Sequence, residues 1–318
     1  MTLGRIWIDG SLVKWDEARI HILTHSLHYG TGVFEGIRCY KTMKGRAVFR
    51  LPDHIQRLLD SCKIYFMDLR YSKTQLQDAV IDTISANGIE ECYIRPIAYY
   101  GYGKMGVNPL PNKVSVAIAV WKWDEYIKNQ TDPESGARLM VSAWTRIDAM
   151  SMPMHAKATA NYANSALARV EALKAGFDEA IMLNRNGMVV EASAENIFIV
   201  KDNSLITPPV ESGALNGITR DSILTLAKEY KIPYEIRDIS RDELYLADEL
   251  FLTGTAAEVR PVGEIDNRLI GDGKAGIITK RLKSSFETIV HGKDKKFSKR
   301  WLTPLNWTKN VSLTKRKR

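Results

Sequence analysis

Only three cysteines, Cys39, Cys62 and Cys92, occur in the 318 residues. They are odd in number and widely spaced along the chain. That excludes a disulfide framework and a CxxC redox pair, and predicts free thiols in a reducing compartment, the cytoplasm. Long apolar runs are also missing. The best, VSVAIAVW at 114–121, is strand-sized and far short of a membrane span. The first residues, MTLGRIWIDGSLVKW, have neither an apolar signal core nor the Arg/Ser-rich character of a transit segment. There is no phosphate-loop motif of the GxxxxGKS or GxxxxGKT form and no GxSxG elbow.

A body charged with one sign is absent too. The net charge is +8, but residues 281–318 hold 12 Lys/Arg against 2 Asp/Glu. The other 280 residues therefore carry −2, and the excess sits in a C-terminal tail ending TKRKR. Binding of nucleic acid or another acidic surface would rest on that tail alone. A solvated tail is the expectation, with no nucleic-acid or membrane partner.

What is present is ordinary globular composition, 45% hydrophobic and 26% charged. The chain is long enough to divide into two domains. RIWIDGSLVKW reads as a hairpin across Asp9-Gly10. LPDHIQRLLDSCKIYFM, 51–67, places Ile55, Leu58, Leu59, Cys62 and Tyr65 at helical spacing. Thr74 and Gln77 form a capping-box pattern ahead of a helix ending near Gly88. Strand-like ECYIRPIAYYG and VSVAIAV follow. These make a small N-terminal α+β domain over 1–125, and polar YIKNQTDPESGA, 126–137, is the expected linker. A larger domain, 138–303, then opens with RLMVSAW and the helix NSALARVEALKAG. A strand meander turns at Asn186-Gly187 and Asp202-Asn203. Helices follow at Gly217-Ile218-Thr219 and at Ser240/Glu243, and residues 304–318 form the basic tail. The order is not a strict βαβ alternation, which disfavours a doubly wound parallel sheet.

In MPMHAKATANY, 152–162, Lys157 stands among small side chains with no acidic partner. Lysines are ordinarily solvated surface groups, so this bed needs a reason. ALNGITRDS (214–222) and TGTAAE (253–258) offer glycines, hydroxyls and unpaired amides of the kind that seat phosphate, although each alone also reads as a plain cap or turn. Arg57 stands beside the apolar stripe of its helix. It would be a solvated charge or a fork for phosphate. Glu191, in VVEASAEN, ends a strand. His21, His25 and His28 imitate a metal site but lack Cys or carboxylate companions, so a structural role is expected and no metal. A lysine in a weakly solvated pocket, phosphate donors and a carboxylate together suit pyridoxal phosphate. The amine anchors it, the donors hold its phosphate, and the carboxylate keeps its ring nitrogen protonated.

HSLHYGTGVFEGIRCY (25–40), HIQRL (54–58), YIRP (93–96), GKMGVNP (103–109), AKATANY (156–162), EASAENIF (191–198), GITRD (217–221) and YLADELFLTGTAAEVRPV (245–262) stand in unbroken order. Together they resemble the branched-chain amino acid aminotransferases, among the fold-type IV pyridoxal phosphate enzymes. The likeness covers about residues 5–300. It implies a smaller N-terminal domain and a larger domain with a β-rich pseudo-barrel flanked by helices. It also implies transamination of Leu, Ile and Val with 2-oxoglutarate, giving 2-oxo acids and L-glutamate by a ping-pong Schiff-base mechanism. D-amino acid aminotransferase and aminodeoxychorismate lyase are the alternatives in the superfamily; YIRP and GKMGVNP speak against both.

The resemblance assigns roles by position. Lys157 would carry the cofactor and Tyr162 would bond its phenolic oxygen. Glu191 would pair with the ring nitrogen. Arg57, Ile218, Thr219 and Thr255 would hold the phosphate, with Leu215 against the ring. Tyr29, Phe34, Gly36, Tyr93, Arg95, Met105, Trp123, Tyr126, Thr255 and Ala256 would meet the substrate. A homo-oligomer, a dimer or dimer-based hexamer, is implied by kinship. The family usually ends near Asn306, so WTKNVSLTKRKR is additional.

Overall fold

The structure, a computed structural model, describes residues 4–122 and 135–305. Trp123, Tyr126, most of the expected linker and the tail from 306 lie outside the described residues.

The chain opens with the expected hairpin. Arg5–Ile8 pairs antiparallel with Ser11–Lys14, and Asp9 and Gly10 turn at φ 46° and 95°. Such a turn needs left-handed backbone, which Gly adopts freely and Asp tolerates. This hairpin edges an eight-stranded sheet. Its order runs Leu302–Pro304, Gly45–Phe49, Ile37–Thr42, Cys92–Tyr100, Val114–Trp121, Arg5–Ile8 and Ser11–Lys14, and Gly32–Phe34 also pairs with Cys92–Tyr100. Every pairing in it is antiparallel.

The predicted helix over 51–67 forms as Leu51–Ile64. Ile55, Leu58 and Cys62 are buried on its inner face and join Val33, Ile37, Ile94 and Ile118 in one core. The next helix is Lys73–Asn87, closed by Gly88 at φ 64°. Its cap is Ser72 with Gln75, not Thr74 with Gln77. Both pairs have box spacing. The earlier one is used because Ser72 has extended backbone and both reciprocal bonds are made. Cys39 and Cys92, distant in sequence, face each other on neighbouring strands, and all three cysteines are buried and free. Burial pushes the Cys62 thiol up to about 12. GYGKMG at 101–106 has dinucleotide-type glycine spacing after a strand, yet no helix follows, so no phosphate seat forms there.

A nine-stranded mixed sheet holds the second half. Its order is Val189–Ala192, Glu179–Leu183, Ala137–Val141, Glu258–Ile265, Glu249–Gly254, Asn196–Lys201, Ser204–Thr207 and Tyr234–Ile236, with Arg268–Leu269 beside Glu258–Ile265. Three pairs are parallel, which agrees with an α+β chain and not a doubly wound one. Of the expected linker, Ser135 bridges Lys274 and Ala137 already begins a strand. Helices Asn161–Lys174, Ile218–Glu229 and Ile277–Val290 flank this sheet.

The last described strand returns to the first sheet, where Leu302 opposes Phe49. Phe49 packs edge-on against Phe286 at 5.2 Å and Trp301 at 5.9 Å. One aromatic core therefore joins residues of both sheets, including Tyr40, Phe198 and Phe251. Phe251 is fully buried and stacks on Phe198 at 5.0 Å. Phe251→Ala should lower stability by about 3–5 kcal/mol, read as a reduced urea midpoint with little change in slope.

Candidate active site

Lys157 lies in the loop before the Asn161–Lys174 helix, and that loop is fixed by its own backbone. Lys157 N–H donates to Ser61 Oγ at 3.1 Å, and its carbonyl accepts from Phe34 N–H at 3.0 Å. Ala158 bridges Val33, and both Ala156 and Ala158 are buried in the first core. The small neighbours are thus packing residues: a Cβ on Gly30 would come within 2.8 Å of Ala160 Cβ. The Lys157 amine donates to the Tyr162 hydroxyl. It stands 5.1 Å and 5.0 Å from the ring centres of Phe34 and Tyr162. No carboxylate pairs with it among the described residues.

Two chambers meet at this amine. The first, about 590 Å³ with its open mouth included, is lined by all eight residues expected for a cofactor: Arg57, Lys157, Tyr162, Glu191, Leu215, Ile218, Thr219 and Thr255. At one end, the Ile218–Glu229 helix begins after Gly217. Its first-turn amides have no intrahelical partner, and the dipole favours an anion. A Cβ on Gly217 would stand 3.1 Å from Asn196 Cγ, so glycine is what lets the backbone come close.

Arg57 completes that end, and an unforeseen residue aims it. Glu35 has no exposed surface; it accepts Arg57 Nε at 2.6 Å, Arg57 Nη2 at 2.9 Å and His54 Nδ1 at 2.7 Å. Burial alone would raise its pKa. The Arg57 guanidinium and His54 outweigh burial and hold the carboxyl well below the usual range. Burial pushes His54 down, so its ring acts as a neutral donor. Arg57 Nη1 donates to the Asn216 carbonyl at 2.9 Å, directly before the helix start.

At the other pole Glu191 is buried. It accepts Arg146 Nη2 at 2.8 Å, Asn196 Nδ2 at 3.1 Å and Leu215 N–H at 3.1 Å. Burial raises its pKa despite Arg146. Arg146 in turn donates to Ser165 at 2.9 Å. Arg146 belongs to no pattern that sequence reading singles out, and Asn196, although it lies within EASAENIF, carries no expected role there. The donor set fits pyridoxal phosphate: an amine, a buried acceptor at one pole, and an arginine, a helix start and the Thr255 hydroxyl at the other.

The second chamber, about 1050 Å³, shares Lys157, Tyr162, Ser193, Ala194, Gly254 and Thr255 with the first. It is also lined by Phe34, Gly36, Tyr93, Arg95 and Ala256. Gly36 abuts the hydroxyl end of Tyr93, whose Cζ a Cβ would approach to 2.9 Å. The Arg95 guanidinium sits 4.7, 5.3 and 5.9 Å from the ring centres of Phe34, Tyr93 and Trp121. Among the described residues no carboxylate pairs with it. Arg169 and Glu195 border the same space; burial pushes the Glu195 carboxyl up to about 7 against the pull of Arg169.

Tyr29 and Met105 are not brought to either chamber. They are exposed on the surface that carries the histidines. His25 is buried between Thr31 Oγ1 at 2.8 Å and the Gly106 carbonyl at 2.7 Å, so it ties down the GKMGVNP loop. His28 bonds the Ile22 carbonyl, and His21 lies on Tyr102.

Residues 32–265 match the family model described as amino-transferase class IV. A branched-chain-amino-acid aminotransferase of Pseudomonas aeruginosa is 46% identical over 290 residues, covering 91% of this chain and 94% of that protein. One of Salmonella typhimurium is 44% identical over 303 residues, covering 95% and 97%. The crystal structure of a T.th. branched-chain amino acid aminotransferase complexed with N-(5′-phosphopyridoxyl)-L-glutamate superposes with TM-score 0.90 at 44% identity, over 96% of this chain and 100% of that one. By the extent of these matches and the set of residues around Lys157, the chain belongs to the class IV aminotransferases.

Proposed function

We propose that the chain transaminates branched-chain L-amino acids, Leu, Ile and Val, with 2-oxoglutarate, using pyridoxal 5′-phosphate and releasing 2-oxo acids and L-glutamate. The observation that carries this reading is the shared wall: Lys157 and Tyr162 line both chambers, so one amine serves cofactor and substrate. The relatives' activity and the phosphopyridoxyl-glutamate bound by the T.th. enzyme support cofactor and acceptor alike.

When bound, pyridoxal phosphate supplies a carbonyl that exchanges with amines and a ring that withdraws the electron pair of a broken Cα–H bond. Arg57, the amides of Ile218 and Thr219, and Thr255 would hold its phosphate. Glu191 would hold the ring nitrogen in its protonated form, Tyr162 the phenolic oxygen, and Leu215 one ring face. Lys157 anchors the cofactor. Once freed, its Nζ takes the substrate's Cα proton as general base and returns a proton as general acid. The Tyr162 hydroxyl keeps that nitrogen aimed.

Phe34 and Tyr93 offer the apolar wall that a branched side chain needs, and Gly36 keeps it flat. Arg95 supplies the cation for the acidic side chain of glutamate or 2-oxoglutarate. Stacked on rings, it meets an apolar substrate without a competing carboxylate in its own chain's described part. The amides of Thr255 and Ala256 would take the α-carboxylate. Trp123 and Tyr126 stay in this reading as substrate contacts.

A homo-oligomer belongs to the same reading, a dimer or dimers assembled further. Ile22, Leu27, Tyr29, Tyr102, Met105 and Val107 leave an apolar surface open, with Val107 84% exposed. Tyr29 and Met105 would serve a neighbouring copy's site. The buried free thiols support a reducing cytoplasm. The division into units 1–125 and 138–303 is supported by the two sheets, with Ala156, Ala158 and Leu302 of the second unit packed or paired on the first.

Lys157→Ala should cut turnover by about 10²–10⁴-fold and lose borohydride trapping of cofactor on the protein. Retained trapping would sink the assignment. Glu191→Gln should lose about 10²-fold in kcat while still binding cofactor, measured by absorbance titration. Glu35→Gln leaves Arg57 without its buried counter-charge and should cost about 3–5 kcal/mol in unfolding free energy, with weaker cofactor retention on dialysis. Val107→Glu should shift sedimentation toward the monomer and lower activity with it.

A further inference from the structure

The turn Thr255–Ala257, on the wall of the second chamber, joins strands that pair as far as Gly254 with Glu258. The closing residue, Glu258, has φ 55°. Glycine would take that backbone at less cost, so the side chain must contribute something glycine cannot. Its Oε1 accepts from Arg38 Nη1 at 2.8 Å and from the Tyr40 hydroxyl at 2.8 Å. Both donors belong to the other sheet, on Ile37–Thr42. The Arg38 guanidinium also lies over the Tyr40 ring at 4.7 Å.

This cluster ties together two parts of the wall of one chamber. Arg38 follows Gly36 by two residues, at the start of the Ile37–Thr42 strand, and is the cross-strand partner of Tyr93. Gly36 and Tyr93 form one wall; Thr255, Ala256 and Ala257 form part of another. Arg38, Tyr40 and Glu258 line neither chamber themselves. The ion pair is sheltered, with side chains 18% and 28% exposed, so it is less screened than a surface pair. Tyr40 is buried, and burial together with the Glu258 carboxylate keeps its phenol protonated as a donor.

We propose that Arg38, Tyr40 and Glu258 form a latch that fixes the Thr255–Ala257 turn against the Gly36 and Tyr93 wall and so sets how tightly the substrate's carboxylate is held. These are positioning residues. The inference rests on the substrate reading of the second chamber given above.

The test uses holoenzyme carrying Arg38→Ala, Arg38→Lys, Tyr40→Phe or Glu258→Gln. Arg38→Ala and Glu258→Gln should raise KM for both the amino acid and the 2-oxo acid by about 10-fold, the loss expected of a charged hydrogen bond. With the chemistry untouched, kcat should stay within a factor of about two. Cofactor affinity should not move, and Arg38→Lys should recover part of the KM loss. Hydrogen exchange at the amides of residues 255–257 should quicken without substrate present. Unchanged exchange in all variants overturns the latch, and quicker exchange with unchanged KM overturns its link to binding. A fall in cofactor affinity equal to the KM effect would mean general loosening and also overturns it. If Arg38→Ala does not fold, Tyr40→Phe and Glu258→Gln carry the same readouts. Should the wild type act on no branched-chain amino acid, the substrate reading fails, while the exchange measurement still decides whether the latch exists.

Discussion

The ion pair between Glu35 and Arg57 sets the geometry of both chambers. Glu35 stands between Phe34 and Gly36, two residues of the substrate-side wall, and its carboxylate holds the arginine at the phosphate end of the other chamber. A buried carboxylate is expensive unless its lone pairs are filled. Here a two-pronged guanidinium and a neutral imidazole fill them, and the carbonyl of Asn216 takes a further Arg57 donor. A shift of the Phe34–Gly36 segment would therefore move Arg57, and a shift of the helix at Ile218 would be felt at Glu35. Rigid placement of this kind is what a site needs when its ligand binds at one end and reacts at the other.

Two buried carboxylates in this region behave in opposite ways. Glu35 faces a bidentate arginine and is driven down; Glu191 meets Arg146 through one nitrogen and burial wins. Glu35 is thereby a finished structural charge. Glu191 has two neutral donors and a single prong of Arg146, and a protonated ring nitrogen is a charged donor that would add to them. The difference follows from the fork of the charged donor, since both groups are almost equally buried.

The order of elements was legible because hydrophobic periodicity and turn chemistry are local. The 51–64 helix, the Asp9-Gly10 hairpin and the Asp202-Asn203 turn, at φ 49° and 60°, all follow from short stretches. Even there a choice between equivalent signals failed, as with Thr74 against Ser72. The strand pairings are another matter. Ala137–Val141 lies parallel to both Glu258–Ile265 and Glu179–Leu183, and Leu302–Pro304 returns to Gly45–Phe49. No local signal specifies such distant partners. Around the amine, Lys157, Arg57, Glu191 and Thr219 were found because their flanking segments carry a recognisable order. Glu35 stands in the segment VFEGIR with no expected role, because its meaning depends on Arg57 and His54 turning back onto it. Arg146 lies in no motif at all, and its role exists only where SAWTRID passes under Glu191.

The same nonlocality bears on how the site comes to exist. Arg57 comes from a helix on the first sheet, Lys157 from a loop stitched to that sheet, Glu191 and Thr255 from the second sheet, and Ile218 and Thr219 from a helix beside it. No single unit holds more than part of the first chamber. Its closure must wait for long-range contacts, which carry the loop-closure cost that slows folding. A ligand that binds only the closed arrangement adds its binding free energy to the junction of the sheets. The aromatic core of Phe49, Phe286 and Trp301 and the buried Glu35 cluster hold that junction from the protein side. The cofactor would hold it from within, so the junction is stabilised by the molecule the site is built to keep.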